Sequence, residues 1–261
     1  MEVIIVPKPE DAAPIVADAY TKLLANNPTA VLGLATGSTP LGVYKELIRR
    51  HNEDGLSFAG VQAFNLDEYV GLAAGHPELY RTFIEREFTS HVDFAADAVH
   101  GPDGLAEDLL RAAAEYDQSI KDAGGIDIQI LGIGADGHLA FNMPGSSLVS
   151  RTRLKTLTKK TREDNARFFD GDISQVPKHC LTQGLGTIME SRHAIMLGFG
   201  KGKAQAVAEA VEGGVSAHWP ASILQMHPHA TVVVDEDAAD QLRLTNYYVN
   251  TYEGKPDWQG I

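Results

Sequence analysis

Short apolar, β-branched runs recur along the chain, separated by stretches with helical spacing. The runs lie at Val3–Val6, Ala30–Ala35, Val61–Leu66, Ile126–Ile133, Ala194–Phe199 and Thr231–Val234, and each reads as a strand buried on both faces. Between them, apolar residues three and four apart predict amphipathic helices: Ala13, Val16, Ala17, Tyr20, Leu23 and Leu24, and later Leu105, Leu109, Ala112, Ala113 and Tyr116. Strand and helix in alternation predict βαβ units and a doubly wound, mainly parallel, Rossmann-like sheet of the α/β class. No internal repeat, low-complexity tract or Gly/Ser linker divides the chain, so 1–261 reads as one domain. The segment 157–181 stands apart: Lys159, Lys160, Arg162 and Arg167 mix with Phe168, Phe169, Gly171 and Pro177 without a strong period, as in a mobile lid.

In such a sheet, ligands sit beyond the carboxyl ends of the strands, near the point where strand order reverses. The residues just after each strand therefore carry the candidate chemistry. Thr36-Gly37-Ser38-Thr39-Pro40 offers a glycine for close backbone approach and hydroxyl donors, with Pro40 suited to the first turn of a helix whose free amides seat a phosphate. A plain strand-to-helix turn with Thr39 as N-cap is the structural alternative. Asp67 and Glu68 follow a strand ending in Phe64, Asn65 and Leu66, so one carboxylate is placed to sit in the crevice against apolar walls and become a base; a pair of solvated acids is the alternative. In Gly132-Ile133-Gly134-Ala135-Asp136-Gly137-His138, the spacing lets Asp136 hold the His138 imidazole in one tautomer, as a proton shuttle needs. Lys203, opening the helix after Ala194–Phe199, and Arg167 in the 157–181 segment are the candidate local cations for a phosphate.

Composition narrows the partners. A net charge of -13 without a basic stripe excludes nucleic acid as an expected partner and means that an anionic substrate must be held by local cations and amides. No apolar run approaches the roughly 20 residues a membrane helix needs. Glu2 and Lys8 interrupt the apolar run at the start, and the single Cys180 has no internal disulfide partner, so the expected location is the cytoplasm. The histidines of Met226-His227-Pro228-His229 lack metal-ligand spacing with acids or Cys180, so no metal is expected. The glycine spacing at 132–137 is no dinucleotide fingerprint, so no cofactor is expected either.

Taken together, Leu34-Ala35-Thr36-Gly37-Ser38-Thr39-Pro40, Asn65-Leu66-Asp67-Glu68-Tyr69-Val70-Gly71-Leu72 and Asp136-Gly137-His138-Leu139-Ala140-Phe141-Asn142 resemble the glucosamine-6-phosphate deaminase family. Ser150–Leu157, Asp164–Phe169, Gln175-Val176-Pro177 and Leu224–Pro228 extend the resemblance over nearly the whole chain. It implies a cofactor-independent conversion of glucosamine 6-phosphate and water to fructose 6-phosphate and ammonia. In that scheme His138, oriented by Asp136, helps to open the sugar ring, and Asp67 moves a proton from C2 to C1. Thr36, Gly37, Ser38, Thr39, Arg167 and Lys203 hold the phosphate. The resemblance further implies an allosteric site at Ser146, Ser147, Arg153 and Lys155, and a homo-oligomer, often a hexamer.

One position departs from the family pattern: Phe141-Asn142-Met143-Pro144 has methionine where the pattern has glutamate. Met143 has nearly the length of glutamate but cannot accept a proton, so binding is expected to survive while turnover falls. A catalytically silent sugar-phosphate binder follows as a second reading; a third, implied by the resemblance, is a hydrolase like 6-phosphogluconolactonase, a relative with a similar fold, although Leu66-Asp67-Glu68-Tyr69 and Arg153-Leu154-Lys155-Thr156 favour the deaminase.

Overall fold

The computed structural model describes residues 1–256 and 258–261. Its first half runs β1 (Glu2–Val6), α1 (Pro9–Asn26), β2 (Val31–Leu34), α2 (Leu41–Asp54), β3 (Gln62–Asn65), β4 (Asp67–Tyr69), α3 (Tyr80–Glu87), β5 (Val99–His100), α4 (Leu109–Asp122) and β6 (Ile128–Gly132). The second half runs β7 (Arg153–Thr156), α5 (Lys159–Asn165), β8 (His179–Thr182), α6 (Leu185–Ile188), β9 (His193–Gly198), α7 (Ala204–Val211), β10 (Ala230–Asp235) and α8 (Thr245–Glu253). The main sheet has 7 strands in the order β1-β10-β9-β6-β2-β3-β5, all pairs parallel. Each of the apolar runs of the sequence forms one of its strands, and β2, β9 and β10 are buried throughout, as strands covered by helices on both faces must be.

Two local expectations need correction. The helical period starting at Leu105 begins only at Leu109, because the Asp108 carboxylate accepts from the amides of Leu110 and Arg111 and caps the helix there; Leu105 is exposed. Likewise, Thr39 is not a cap: Pro40 occupies the N-cap position of α2, with no side-chain cap bond.

A second sheet of 3 strands, β4-β8-β7, is antiparallel. Its strands are short and polar, so no hydrophobic period announces them. It matters because the chain passes from β3 to β4 across Leu66 alone, which plants Asp67 at the junction of the two sheets. The segment 157–181 is also more ordered than its aperiodic sequence suggests. Thr158 caps α5 through the Thr161 amide, and the Arg162 guanidinium donates to the carbonyls of Val176 and Ile173. Leu157, Ala166, Phe169 and Val176 turn inward to form a small core with Tyr69, Phe141 and Cys180, and the segment ends in β8. Among the described residues, no helix is long and apolar enough to cross a membrane.

Candidate active site

From β2 the chain continues outward through β3 and β5, whereas β6, β9 and β10 fill the other side, so strand order reverses between β2 and β6. The carboxyl ends of β9, β6, β2 and β3 are neighbours there and carry the candidate motifs. The loops after β2 and β6 meet: a Cβ added to Gly132 would lie 3.8 Å from the Thr39 side chain.

The Thr36–Thr39 loop is held from below by Tyr44 of α2, fully buried, whose hydroxyl accepts from the Ala35 amide and donates to the Ala35 carbonyl. Gly37 has φ +92°, a conformation that side chains disfavour, so the turn needs glycine. Ser38 is exposed and Thr36 and Thr39 are half-buried, leaving hydroxyls at the switch point.

Asp67 and Glu68 have opposite fates. Glu68 accepts the amides of Tyr69, Tyr80 and Arg81 at 2.8, 3.0 and 2.9 Å and so caps α3. Asp67 is 6% exposed and, among the described residues, has neither a hydrogen-bond partner nor an ion pair. Burial first, and the neighbouring Glu68 charge second, push its carboxyl well above the usual range. A buried carboxylate left without donors is the chemistry of a base.

His138 Nδ1 lies 2.6 Å from an Asp136 carboxylate oxygen, which also accepts the His138 amide, as the spacing predicts. This contact holds Asp136 below the ordinary carboxylate range. The imidazole lies directly over Gly134, where a Cβ would stand 2.2 Å from ring atoms Cε1 and Nδ1. Gly137 is covered by Trp219, and its carbonyl accepts the Ala221 amide, so the 216–222 turn buttresses the histidine loop. Beyond it the chain turns at Ala140 with φ 50°, and the buried Asn142 amide fixes the turn by donating to the carbonyls of Leu139 and Gln183.

Lys203 ends the short 3₁₀ turn before α7, half-buried and, among the described residues, without a carboxylate partner. Burial lowers its pKa, and the charge of Asp136 opposes the effect. The loop carrying it is anchored by Asp235, whose carboxylate accepts the Gly200 amide. Arg167 is not brought in: it is exposed, its guanidinium 4.7 Å over the Phe168 ring. Met143 is half-buried and packs against the small core under the 157–181 segment.

Arg153 and Lys155 lie on β7, across β8 from the base strand, in the registers Asp67–Thr182–Arg153 and Tyr69–Cys180–Lys155. Burial lowers the pKa of both, and neither has a carboxylate partner among the described residues. Ser146 is buried with its hydroxyl unpartnered, whereas Ser147 is exposed. Sequence reasoning missed Tyr44, Trp219, Asn142 and Asp235; each contacts the backbone of another element, locally for Tyr44 and between distant segments for the rest, and only Asn142 lay within a motif. Among the described residues, no cluster of His, Cys, Asp and Glu could hold a metal. A cavity of about 820 Å³ opens at the other end of the sheet, beside His193, His229 and Lys255, and is lined by none of Thr36–Thr39, Asp67, Asp136, His138 and Lys203.

The chain matches the family model of glucosamine-6-phosphate isomerases/6-phosphogluconolactonase over residues 9–234. It is 61% identical to the glucosamine-6-phosphate deaminase of Mycolicibacterium smegmatis and 62% identical to that of Beutenbergia cavernae, in each case over 261 residues and 100% of both chains. A solved structure described as a monomeric glucosamine-6-phosphate deaminase superposes with TM-score 0.89 at 41% identity, covering 92% of this chain and 100% of that one. The 6-phosphogluconolactonase of Trypanosoma cruzi shares the fold, with TM-score 0.72 at 20% identity over 93% of this chain and 97% of that one.

Proposed function

The chain belongs to the family of glucosamine-6-phosphate isomerases and 6-phosphogluconolactonases, and we propose the deaminase reaction for it: glucosamine 6-phosphate and water give fructose 6-phosphate and ammonia. It is an enzyme of amino-sugar metabolism, acting by aldose–ketose isomerisation with deamination. The observation that carries this reading is full-length identity of 61% to a deaminase, combined with a partnerless buried carboxylate and an oriented histidine at one switch point.

Each step falls to a residue of this chain. Thr36, Gly37, Ser38 and Thr39 seat the phosphate, with the ammonium of Lys203 supplying the charge that a chain of net -13 must provide locally. Arg167 joins them when the 157–181 segment folds over as a lid, in one domain spanning 1–261. His138, steadied by Asp136, relays the proton of the anomeric hydroxyl to the ring oxygen as the pyranose opens to the aldehyde. Asp67 takes the C2 proton, giving an enol-amine, and returns it at C1, giving the C2 imine. Water adds at C2 and ammonia leaves, so the overall reaction is also a hydrolysis.

Met143 argues for attenuation. Its thioether extends the apolar small core where the family pattern has an acid, and loss of one acid–base partner costs about 10²–10⁴ in rate. A silent binder is the limiting case. For regulation, Arg153 and Lys155 with Ser146 and Ser147 offer an anion site for N-acetylglucosamine 6-phosphate, joined to Asp67 by the register of the small sheet. The cytoplasm is the proposed location. A homo-oligomer, with a hexamer as the candidate size, is the proposed assembly, to be set by light scattering because the solved relative is described as monomeric.

Ammonia and fructose 6-phosphate release from glucosamine 6-phosphate, measured beside hydrolysis of 6-phosphogluconolactone, tests the reading. Ammonia release without lactonase activity is expected; the reverse pattern overturns it.

A further inference from the structure

Tyr69 stands two residues after Asp67 on the same short strand, and strand alternation puts both on one face. It is 2% exposed, and its ring meets three parts of the site. Tyr80 of α3 lies at 4.8 Å between ring centroids, Phe141 of the histidine loop at 6.2 Å, and Phe169 of the 157–181 segment at 5.9 Å. A phenol buried in such a cluster needs a polar partner. Asn165, the last residue of α5, donates its side-chain amide to the Tyr69 hydroxyl at 2.8 Å. Arg167 follows two residues later and faces solvent.

The end of the segment, His179–Leu181, is paired with β4 and β7 as part of β8; ahead of it, the remaining ties among the described residues are internal or apolar. Arg162 bonds to Ile173 and Val176 within the segment, and Leu157, Ala166, Phe169 and Val176 form its underside. Apolar packing holds a segment down without fixing its register, whereas a single directional bond fixes it. We propose that Tyr69 and Asn165 are positioning residues for the reaction, their hydrogen bond registering the α5 part of the 157–181 segment, ahead of β8, on the strand that carries Asp67, so that Arg167 reaches the sugar phosphate from a fixed pivot. This inference rests on the reading of that segment as a lid over the site.

The test is a double-mutant cycle with Tyr69→Phe and Asn165→Leu, each of which removes one partner of the bond and keeps the bulk of the side chain. One intramolecular hydrogen bond corresponds to about 5- to 10-fold. Each single variant is therefore expected to lower kcat/KM for glucosamine 6-phosphate by about that factor, mainly through KM. The double variant is expected to be no worse than either single, because both remove the same bond. Hydrogen exchange of residues 159–176 should rise in all three variants while the main sheet stays protected, a readout that needs no turnover. Unchanged KM in both single variants, additive losses in the double, or unchanged exchange at 159–176 overturns the proposal. If the parent protein shows no deaminase activity, the lid and deaminase reading fails, while the exchange measurement still decides whether the tether exists.

Discussion

Replacing Gly134 with alanine is expected to disable the histidine without unfolding the protein. Gly134 has an ordinary backbone conformation, so the added methyl group introduces no backbone strain. It would, however, stand 2.2 Å from His138 Cε1 and Nδ1 and 2.6 Å from Cγ, where carbon contacts settle at about 3.5–4.0 Å. The backbone cannot easily give way, because the Gly134 amide is bonded to the His138 carbonyl and Gly137 is pinned by Trp219. The half-exposed ring yields instead, by more than about 1 Å given the contact distance it must recover. That motion breaks the 2.6 Å contact with Asp136. A misplacement of that size costs about 10²-fold in rate, so kcat/KM for ammonia release should fall by about that factor, while the thermal transition stays cooperative and close to the parent's. A Gly134→Ala protein that keeps most of its kcat/KM, or whose imidazole NMR signals still report the Asp136 contact, would refute the reasoning.

Asp67→Asn should lower kcat by about 10²–10⁴, as expected for loss of a general base. It should also raise the thermal midpoint at neutral pH: the Asp67 pKa is raised in the folded state, so its ionised form costs stability above that pKa and the amide removes the cost. In the parent protein the acid limb of kcat/KM should lie above the usual aspartate value of about 3.9; a limb at or below it contradicts the burial argument. His193 works in the opposite sense. It is stacked on His229 at 3.7 Å and bonded to Thr231, and burial lowers its pKa from 6.5 to about 3. The unfolded chain therefore binds more protons below pH 6.5, and stability should be lost as pH falls from 6.5 towards 3. His193→Gln, which keeps a partner for Thr231, should make the plot of midpoint against pH shallower; an unchanged slope would mean that His193 does not titrate on unfolding.

Much of the main sheet was legible because its strands are buried on both faces and so appear as apolar runs. The switch point followed from topology, and the Asp136–His138 contact from a spacing of two. The small antiparallel sheet was hidden, since Asp67-Glu68-Tyr69 and Arg153–Thr156 are polar strands too short to show a period. The division of labour between Asp67 and Glu68 was hidden for another reason: adjacent acids look alike until the two amides at the start of α3, with that of Tyr69, select Glu68 as their acceptor. Arg167 was picked out from its motif, but its outward placement depends on how the segment rests on Tyr69, a contact between residues 96 apart in sequence.

The measurement that bears most directly on the account is turnover of glucosamine 6-phosphate to fructose 6-phosphate and ammonia by this protein and by Met143→Glu, side by side. Slow turnover by the parent, raised about 10²-fold or more by the glutamate, is the expected result. Rapid turnover that the glutamate leaves unchanged would contradict the role assigned to position 143, and silence in both proteins would contradict the deaminase site itself.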